Sequence, residues 1–349
     1  MARKRWLLLM GPLLMVVLLT GCGLASDEGA GEVNLRLGHQ WPGVDSEGEG
    51  DFRAVLAQRF ADRVSEETDG QVNIEIYPNN SLVEDPTEQY QAITEGAQDM
   101  SVFPLDYASG DVPAFSITLM PAMVPGHAEA RNWQDAEIGQ RVEELTEENG
   151  VKVLTWVWNA GAIGTTSTSP IVSPDDVPSG NVTRAAGVRI EEMLERVGFG
   201  IASMPSSEIY SAMQTGVLDS AITSTSSFDS FRLYEQVATY TSPTGGYTFW
   251  FMFEPLIISM DKFEQLTSEQ QQILEDVGAE LQEFAYTASE EDDVRIDGVF
   301  EEAGVNVVQM DAESFERWRE ESQATWESLA EEVQNGRELI DLAQQVSAQ

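Results

Sequence analysis

Cysteine is almost missing from the 349-residue chain, with Cys22 the only one. That excludes a disulfide, a thiolate metal site and a cysteine nucleophile anywhere else. Histidine is nearly as scarce, being limited to His39 and His127, and no H-E-x-x-H pair occurs. Zinc chemistry and a Ser–His–Asp triad therefore have few candidates. Lysine is rare too: beyond Lys4 near the start, only Lys152 and Lys262 are present. The glycines of Asn159-Ala160-Gly161-Ala162-Ile163-Gly164-Thr165-Thr166-Ser167 superficially look like a phosphate cradle. No lysine follows in the P-loop pattern and no G-x-G-x-x-G opens a helix there, so nucleotide binding is dismissed.

What is abundant is acid. Sixty Asp and Glu residues face nineteen Lys and Arg, for a formal net charge of −41. A nucleic-acid partner needs a basic footprint and is excluded, and docking on anionic lipid headgroups is disfavoured. The acids recur along helix faces and are not gathered in one tail, the pattern of a solvated shell on a salt-adapted extracellular protein. Calcium sites are the rival explanation, but no D-x-D-x-D-G loop occurs. No metal and no cofactor is expected. Carboxylates are too numerous for spacing to single out a catalytic pair, so an extracellular hydrolase stays open as an alternative. So does a surface lipoprotein whose acidic shell contacts cations or a protein partner.

Arg3, Lys4 and Arg5 precede an apolar run over residues 6–19, short for a bilayer span, and residues 1–22 read as a targeting segment. It ends in Leu19-Thr20-Gly21-Cys22, which resembles a bacterial lipoprotein box. By that likeness Cys22 becomes a lipidated N-terminus, with acyl chains contributing about 0.8 kcal/mol per buried methylene. The expected location is extracytoplasmic, periplasmic or cell-surface, anchored to membrane lipid. Residues 23–32 read as a flexible tether.

Further along, a strand over 33–38 leads into the polar and aromatic loop His39-Gln40-Trp41-Pro42-Gly43. An amphipathic helix with Phe52, Val55, Leu56, Phe60 and Val64 follows, then a strand over 72–77, a helix over 87–94 and a strand over 100–103. Residues 151–158 read as one hydrophobic strand crossing between lobes, ending in the small-residue loop 159–167. An aromatic-rich strand over 247–258 returns to the first lobe. Thr267-Ser268 caps a helix over 269–290, and a strand over 305–310 precedes two C-terminal helices.

Residues 177–235 say most about function. Asn181-Val182-Thr183-Arg184 is a short strand ending on an arginine and the turn Ala185-Ala186-Gly187. A helix with Val188, Ile190, Met193, Leu194 and Val197 follows, then a strand over 199–204, a short helix opened by Ser206-Ser207-Glu208, and a strand over 217–222. Such alternation suits a parallel sheet, in which ligands sit at the carboxyl ends of strands. Arg184 lies at one of these ends, and its planar fork matches a carboxylate. The plainer reading of Arg184 is a surface arginine paired with an acidic neighbour. Arg189, inside the next helix, reads as exposed.

Several of these residues together resemble the signature of the TRAP-transporter solute-binding proteins of the DctP type. They are Arg184 and its turn, Met204-Pro205, Ser207-Glu208-Ile209-Tyr210, Gln214-Thr215-Gly216-Val217 with Asp219, and Leu233-Tyr234-Glu235. Earlier, Ile74 and Tyr77-Pro78-Asn79-Asn80-Ser81-Leu82 resemble the family's strand and "YP-x-x-x-L" turn, and Glu95-Gly96-Ala97-Gln98-Asp99 its "x-G-x-x-D" helix end. The likeness keeps the same order over nearly the whole mature chain. It implies a two-lobed periplasmic-binding-protein-like α/β clamshell, each lobe a mixed sheet flanked by helices, joined by crossing strands and a long helix. Periodicity alone suggests only two α/β units. Lobe I is expected over 33–158 plus 247–283, lobe II over 159–246 plus 284–318, and C-terminal helices over 319–349.

The resemblance also implies a non-enzymatic role: capture of a small organic anion between the lobes and delivery to a TRAP-type membrane permease. A binding protein serving an ATP-driven importer is the nearest alternative. The family's carboxylate-binding arginine falls on Arg184. Candidate ligand contacts around it are His39, Trp41, Tyr107, Trp158, Ile163, Gly187, Ser206, Ile222, Thr223, Phe228 and Tyr247, with Phe103 and Trp250 as further apolar walls. Two departures stand out. Many members carry another arginine in the loop matching Ala162 to Thr165, where none is present, and a frequent Glu-Asn pair is replaced by Ile222-Thr223. Both remove hydrogen-bonding groups, which points to a ligand less hydroxylated or less charged than a sugar acid or dicarboxylate.

Overall fold

Leu35 and Leu37 are buried while Asn34 and Arg36 beside them are not, the period-two pattern of a strand with one face on a core. The computed structural model describes residues 32–347, so the targeting segment, Cys22 and nearly all of the expected tether lie outside the described residues. In the first half the elements are Val33–Gly38 (β1), Phe52–Glu67 (α1), Val72–Tyr77 (β2), Gln89–Thr94 (α2), Met100–Val102 (β3), His127–Asp135 (α3), Glu137–Glu148 (α4), Val151–Thr155 (β4) and Trp158–Thr165 (β5). Then come Val182–Arg184 (β6), Val188–Arg196 (α5), Gly200–Ile201 (β7), Ile209–Gln214 (α6), Ser220–Ser224 (β8), Thr225–Ser230 (α7) and Thr239–Ser242 (β9). The last are Phe251–Phe253 (β10), Leu256–Ser259 (β11), Met260–Gln265 (α8), Ser268–Glu302 (α9), Asn306–Gln309 (β12), Ala312–Glu332 (α10) and Gly336–Ser347 (α11).

The strands form two mixed sheets. One has the order β2-β1-β3-β11-β4, with β1 parallel to both neighbours and β11 antiparallel to both of its own. The other runs β12-β9-β5-β8-β6-β7, with β10 added antiparallel to β5. Helices flank each sheet, giving two α/β lobes. The chain passes from the first sheet to the second across Trp156-Val157 and returns across Glu254-Pro255. The 35-residue α9 packs against α1 and β4 of the first lobe and against α7, β9 and β12 of the second, tying the two together. Its start is fixed by a reciprocal cap between Thr267 and Gln270.

Several local expectations change. The small-residue loop over 159–167 is in fact most of β5, a central strand buried at every position. A Cβ on Gly161 would stand 2.3 Å from the Trp250 ring, and one on Gly164 would stand 2.5 Å from Phe228. Glycine here admits aromatic rings against the strand backbone, so a composition that reads as loop belongs to a strand. The single strand over 151–158 breaks at Trp156-Val157, and the one over 247–258 breaks at Glu254-Pro255, because its halves join different sheets. The strand over 199–204 shortens to Gly200–Ile201, and α9 continues well past residue 290.

Candidate ligand-binding site

Arg184 ends β6 at the carboxyl edge of the second sheet and is only 1% exposed. Its Nε donates to the Met204 carbonyl at 2.9 Å, Nη1 to the Ile222 carbonyl at 3.0 Å and Nη2 to the Tyr107 hydroxyl at 3.1 Å. Every acceptor is a neutral oxygen, and no ion pair among the described residues involves this side chain. Each terminal nitrogen also carries a further N–H that no oxygen among the described residues accepts.

Tyr107 comes from the segment leaving β3 in the first lobe, so its bond to Arg184 spans the two lobes. Its hydroxyl oxygen also accepts from the Ser206 backbone N–H at 3.3 Å. Ser206 in turn donates its Oγ proton to Gln40 Oε1 at 3.1 Å, a second bridge between lobes. The ring of His39, beside Gln40, is buried, and neither nitrogen has a hydrogen-bond partner of good geometry among the described residues. Burial pushes its pKa down to about 4, with Arg53 adding to the effect, so the imidazole is neutral at neutral pH. It stacks on Trp41 at 6.0 Å between centroids.

The site region holds a second buried arginine, Arg53, which no sequence motif marks. Arg53 is 0% exposed, pairs with Asp51 at 2.6 Å and Glu254 at 2.8 Å, and lies 3.8 Å over the Trp41 ring. It also donates to Ser224 Oγ and Ser227 Oγ at the start of α7, and Trp41 Nε1 donates to Ser227 Oγ. Burial by itself would raise the pKa of Asp51, but the Arg53 charge and hydrogen bonds hold it below the usual range. For Glu254 burial wins and the pKa is raised. The signal was available: Arg53 precedes Leu56, Ala57 and Phe60 at helical spacing, which puts a charge on the apolar stripe of α1.

The structure thus gathers Arg184, Tyr107, Ser206 and the Ile222 carbonyl into one knot, with Gly187 in the turn beside it and His39 and Trp41 on the loop that carries Gln40. Ile163 faces Ile222 across β5 and β8, in one apolar cluster with Phe249 and Trp250, and Tyr247 stacks on Phe315 at its edge. Thr223 is buried opposite Ala162. Trp158 and Phe228 lie elsewhere. Trp158, at the start of β5, packs among Trp133, Trp156 and Phe253 in an apolar cluster drawn from both lobes, and Phe228 packs edge-on to Tyr240 in the cluster that includes Phe300. Arg189, expected at the surface, is 8% exposed and paired with Glu192 and with Glu332 of α10. The reason is that α10 covers that face of α5.

Known proteins resemble this chain in sequence and fold. The chain matches the family described as bacterial extracellular solute-binding protein, family 7 (DctP), over residues 44–333. A solute-binding protein of Albidiferax ferrireducens is 37% identical over 313 residues, covering 89% of this chain and 91% of that one. The crystal structure of a TRAP periplasmic solute binding protein from Rhodoferax ferrireducens with bound malonate superposes with a TM-score of 0.86 at 36% identity, over 90% of this chain and 98% of that one. A counterpart from Chromohalobacter salexigens with bound D-glucuronate shares the fold, with a TM-score of 0.79 at 22% identity over 89% of this chain and 99% of the other. With so much of its length matched, and with two α/β lobes meeting over a buried arginine, this chain belongs to the DctP family of TRAP-transporter solute-binding proteins.

Proposed function

We propose that this protein captures a small organic carboxylate between its lobes, with Arg184 gripping the acid group, and delivers it to a TRAP-type permease. One observation carries the reading: a buried guanidinium bonded only to neutral oxygens, with N–H groups unspent on both terminal nitrogens. A buried charge with no directly paired anion is costly, and a carboxylate accepting paired N–H donors relieves it. The malonate and D-glucuronate bound by the two similar proteins are acids of the same class. Tyr107, Gly187, Ser206 and Ile222 are assigned as the surroundings of that acid group. Tyr107 accepts two hydrogen bonds and its own proton has no acceptor among the described residues, which suits a third donor to the anion.

Isothermal titration of the purified protein against a carboxylate library, with each acid matched by its carboxamide, tests this. Acids are expected to bind and amides to fail. Arg184→Ala is expected to cost about 2–5 kcal/mol of binding, roughly 30- to 4,000-fold, with circular dichroism unchanged. Undiminished binding by the folded variant would remove Arg184 from the site. The protein is further proposed to be held at the membrane through acyl groups on Cys22. Mass spectrometry of the N-terminal peptide is expected to show a diacyl or triacyl cysteine, and an unmodified Cys22 would defeat that part.

A further inference from the structure

Next to the Arg184 knot the lobes leave a cavity of about 380 Å³, with Tyr107 and Met204, both bonded to Arg184, in its wall. The charged residues lining it are all acids: Asp85 and Asp106 from the first lobe and Glu191 of α5 from the second. Asp106 is 2% exposed, its side chain makes no hydrogen bond among the described residues, and its Oδ1 is buried without a partner. Its Oδ2 lies against Gly187, where the backbone has φ +95° and an added Cβ would stand only 2.7 Å away. Glycine at that turn is what lets the carboxyl approach α5. Glu191 is held by Ser203 and is raised in pKa by burial, against the pull of Arg184. Burial, then the Glu191 charge, pushes Asp106 up to about 7.

Two carboxyl groups from opposite lobes therefore face one cavity; Asp106 has no ion-pair partner among the described residues, and Glu191 feels only the Arg184 guanidinium, which is already bonded to Tyr107, Met204 and Ile222. The arginine acting on Asp106 is Arg189, which is already committed to Glu192 and Glu332. Among the described residues no group of acids is arranged to hold a metal ion. What satisfies a buried acceptor and cancels the repulsion here is a positive group that reaches by hydrogen bonds, and an ammonium with its three N–H donors does both.

We propose that this cavity takes the protonated amine of the ligand whose acid group Arg184 holds, so that the solute is a zwitterion, a small amino acid or related ammonium carboxylate. The inference rests on the Arg184 reading for the acid end and on Asp106 and Glu191 for the amine end. The test titrates the full protein near pH 8 with β-alanine, 4-aminobutanoate and 5-aminopentanoate, each beside its N-acetyl derivative and its carboxamide. At least one amino acid is expected to bind ten times or more tightly than its N-acetyl form. Asp106→Asn is expected to erase that preference, and Glu191→Gln to reduce it. Binding of the N-acetyl forms equal to or better than the parent acids, or a preference that survives Asp106→Asn, overturns the proposal. Should the carboxamides bind as tightly as the acids while the amine preference persists, it is the Arg184 reading that fails. Folding of the variants is checked by thermal melting, so that a lost preference is not a lost fold.

Discussion

Two buried titratable groups at the lobe interface pull the stability of the protein in opposite directions with pH. His39 has a folded pKa of about 4, below its unfolded value, so the unfolded chain binds the extra proton between about 4 and 6.5 and stability falls as the solution is acidified. Asp106 has a folded pKa of about 7, above its unfolded value. Its proton is held by the folded state, so its contribution is full below about pH 4 and is lost as pH rises through 7. Over about pH 4.5–6 the two slopes offset each other, each on the order of 1.4 kcal/mol per pH unit. Urea denaturation of the ligand-free protein is expected to show this through variants. Relative to wild type, Asp106→Asn gains stability with rising pH across that window, and His39→Gln loses it. A parallel pH dependence in all three proteins would mean that neither side chain is shielded from water. The same two residues explain why the interface resists reading by type alone, since a histidine and an aspartate look like surface groups until burial is known.

At the scale of elements, β5 decides how the second lobe is assembled. It lies between β8 and β9, also pairs with β10, and has the Trp250 and Phe228 rings pressed on its glycines. Gly161→Ala adds a methyl group where the Trp250 ring already stands, so either the ring or the strand must shift. The expected cost is about 1–3 kcal/mol, read as a lower urea midpoint with unchanged slope. An unaffected midpoint would show that Trp250 moves freely. The Arg53 network is an element-level device too. It joins α1 to α7, with Trp41 adding its own bond to Ser227, and Arg184 with Tyr107 makes a second set of bonds between the lobes.

For the whole molecule, charge repulsion is expected to outweigh charge pairing. Carboxylates outnumber basic residues by sixty to nineteen, and most ion pairs among the described residues are exposed or half-exposed, such as Arg63 with Glu66 and Glu67 or Arg317 with Glu320. Such pairs contribute about 0–1 kcal/mol each, whereas the unpaired excess repels itself. Salt shortens the screening length from about 10 Å at about 0.1 M to about 3 Å at about 1 M. The thermal midpoint is therefore expected to rise by several degrees between those concentrations of sodium chloride. A falling midpoint in the same scan would show that the surface ion pairs outweigh the repulsion. No described helix is long and apolar enough to cross a membrane.

Order along the chain, the α/β alternation and the position of Arg184 at the end of a strand followed from the sequence alone. Each depends on local regularities: period-two and helical spacing, a cap at Thr267, and a strand that ends on an arginine. Tertiary structure alone decided which residues meet. The small-residue run of β5 became a central strand because two rings needed its glycines. Arg53 turned inward because Glu254, from a distant segment, meets it there beside Asp51, and Asp106 came to face Glu191 because the lobes close on each other. Spacing encodes the direction of a side chain within its own element, but most of the charges it will face belong to residues far along the chain, and only the packed fold brings those together.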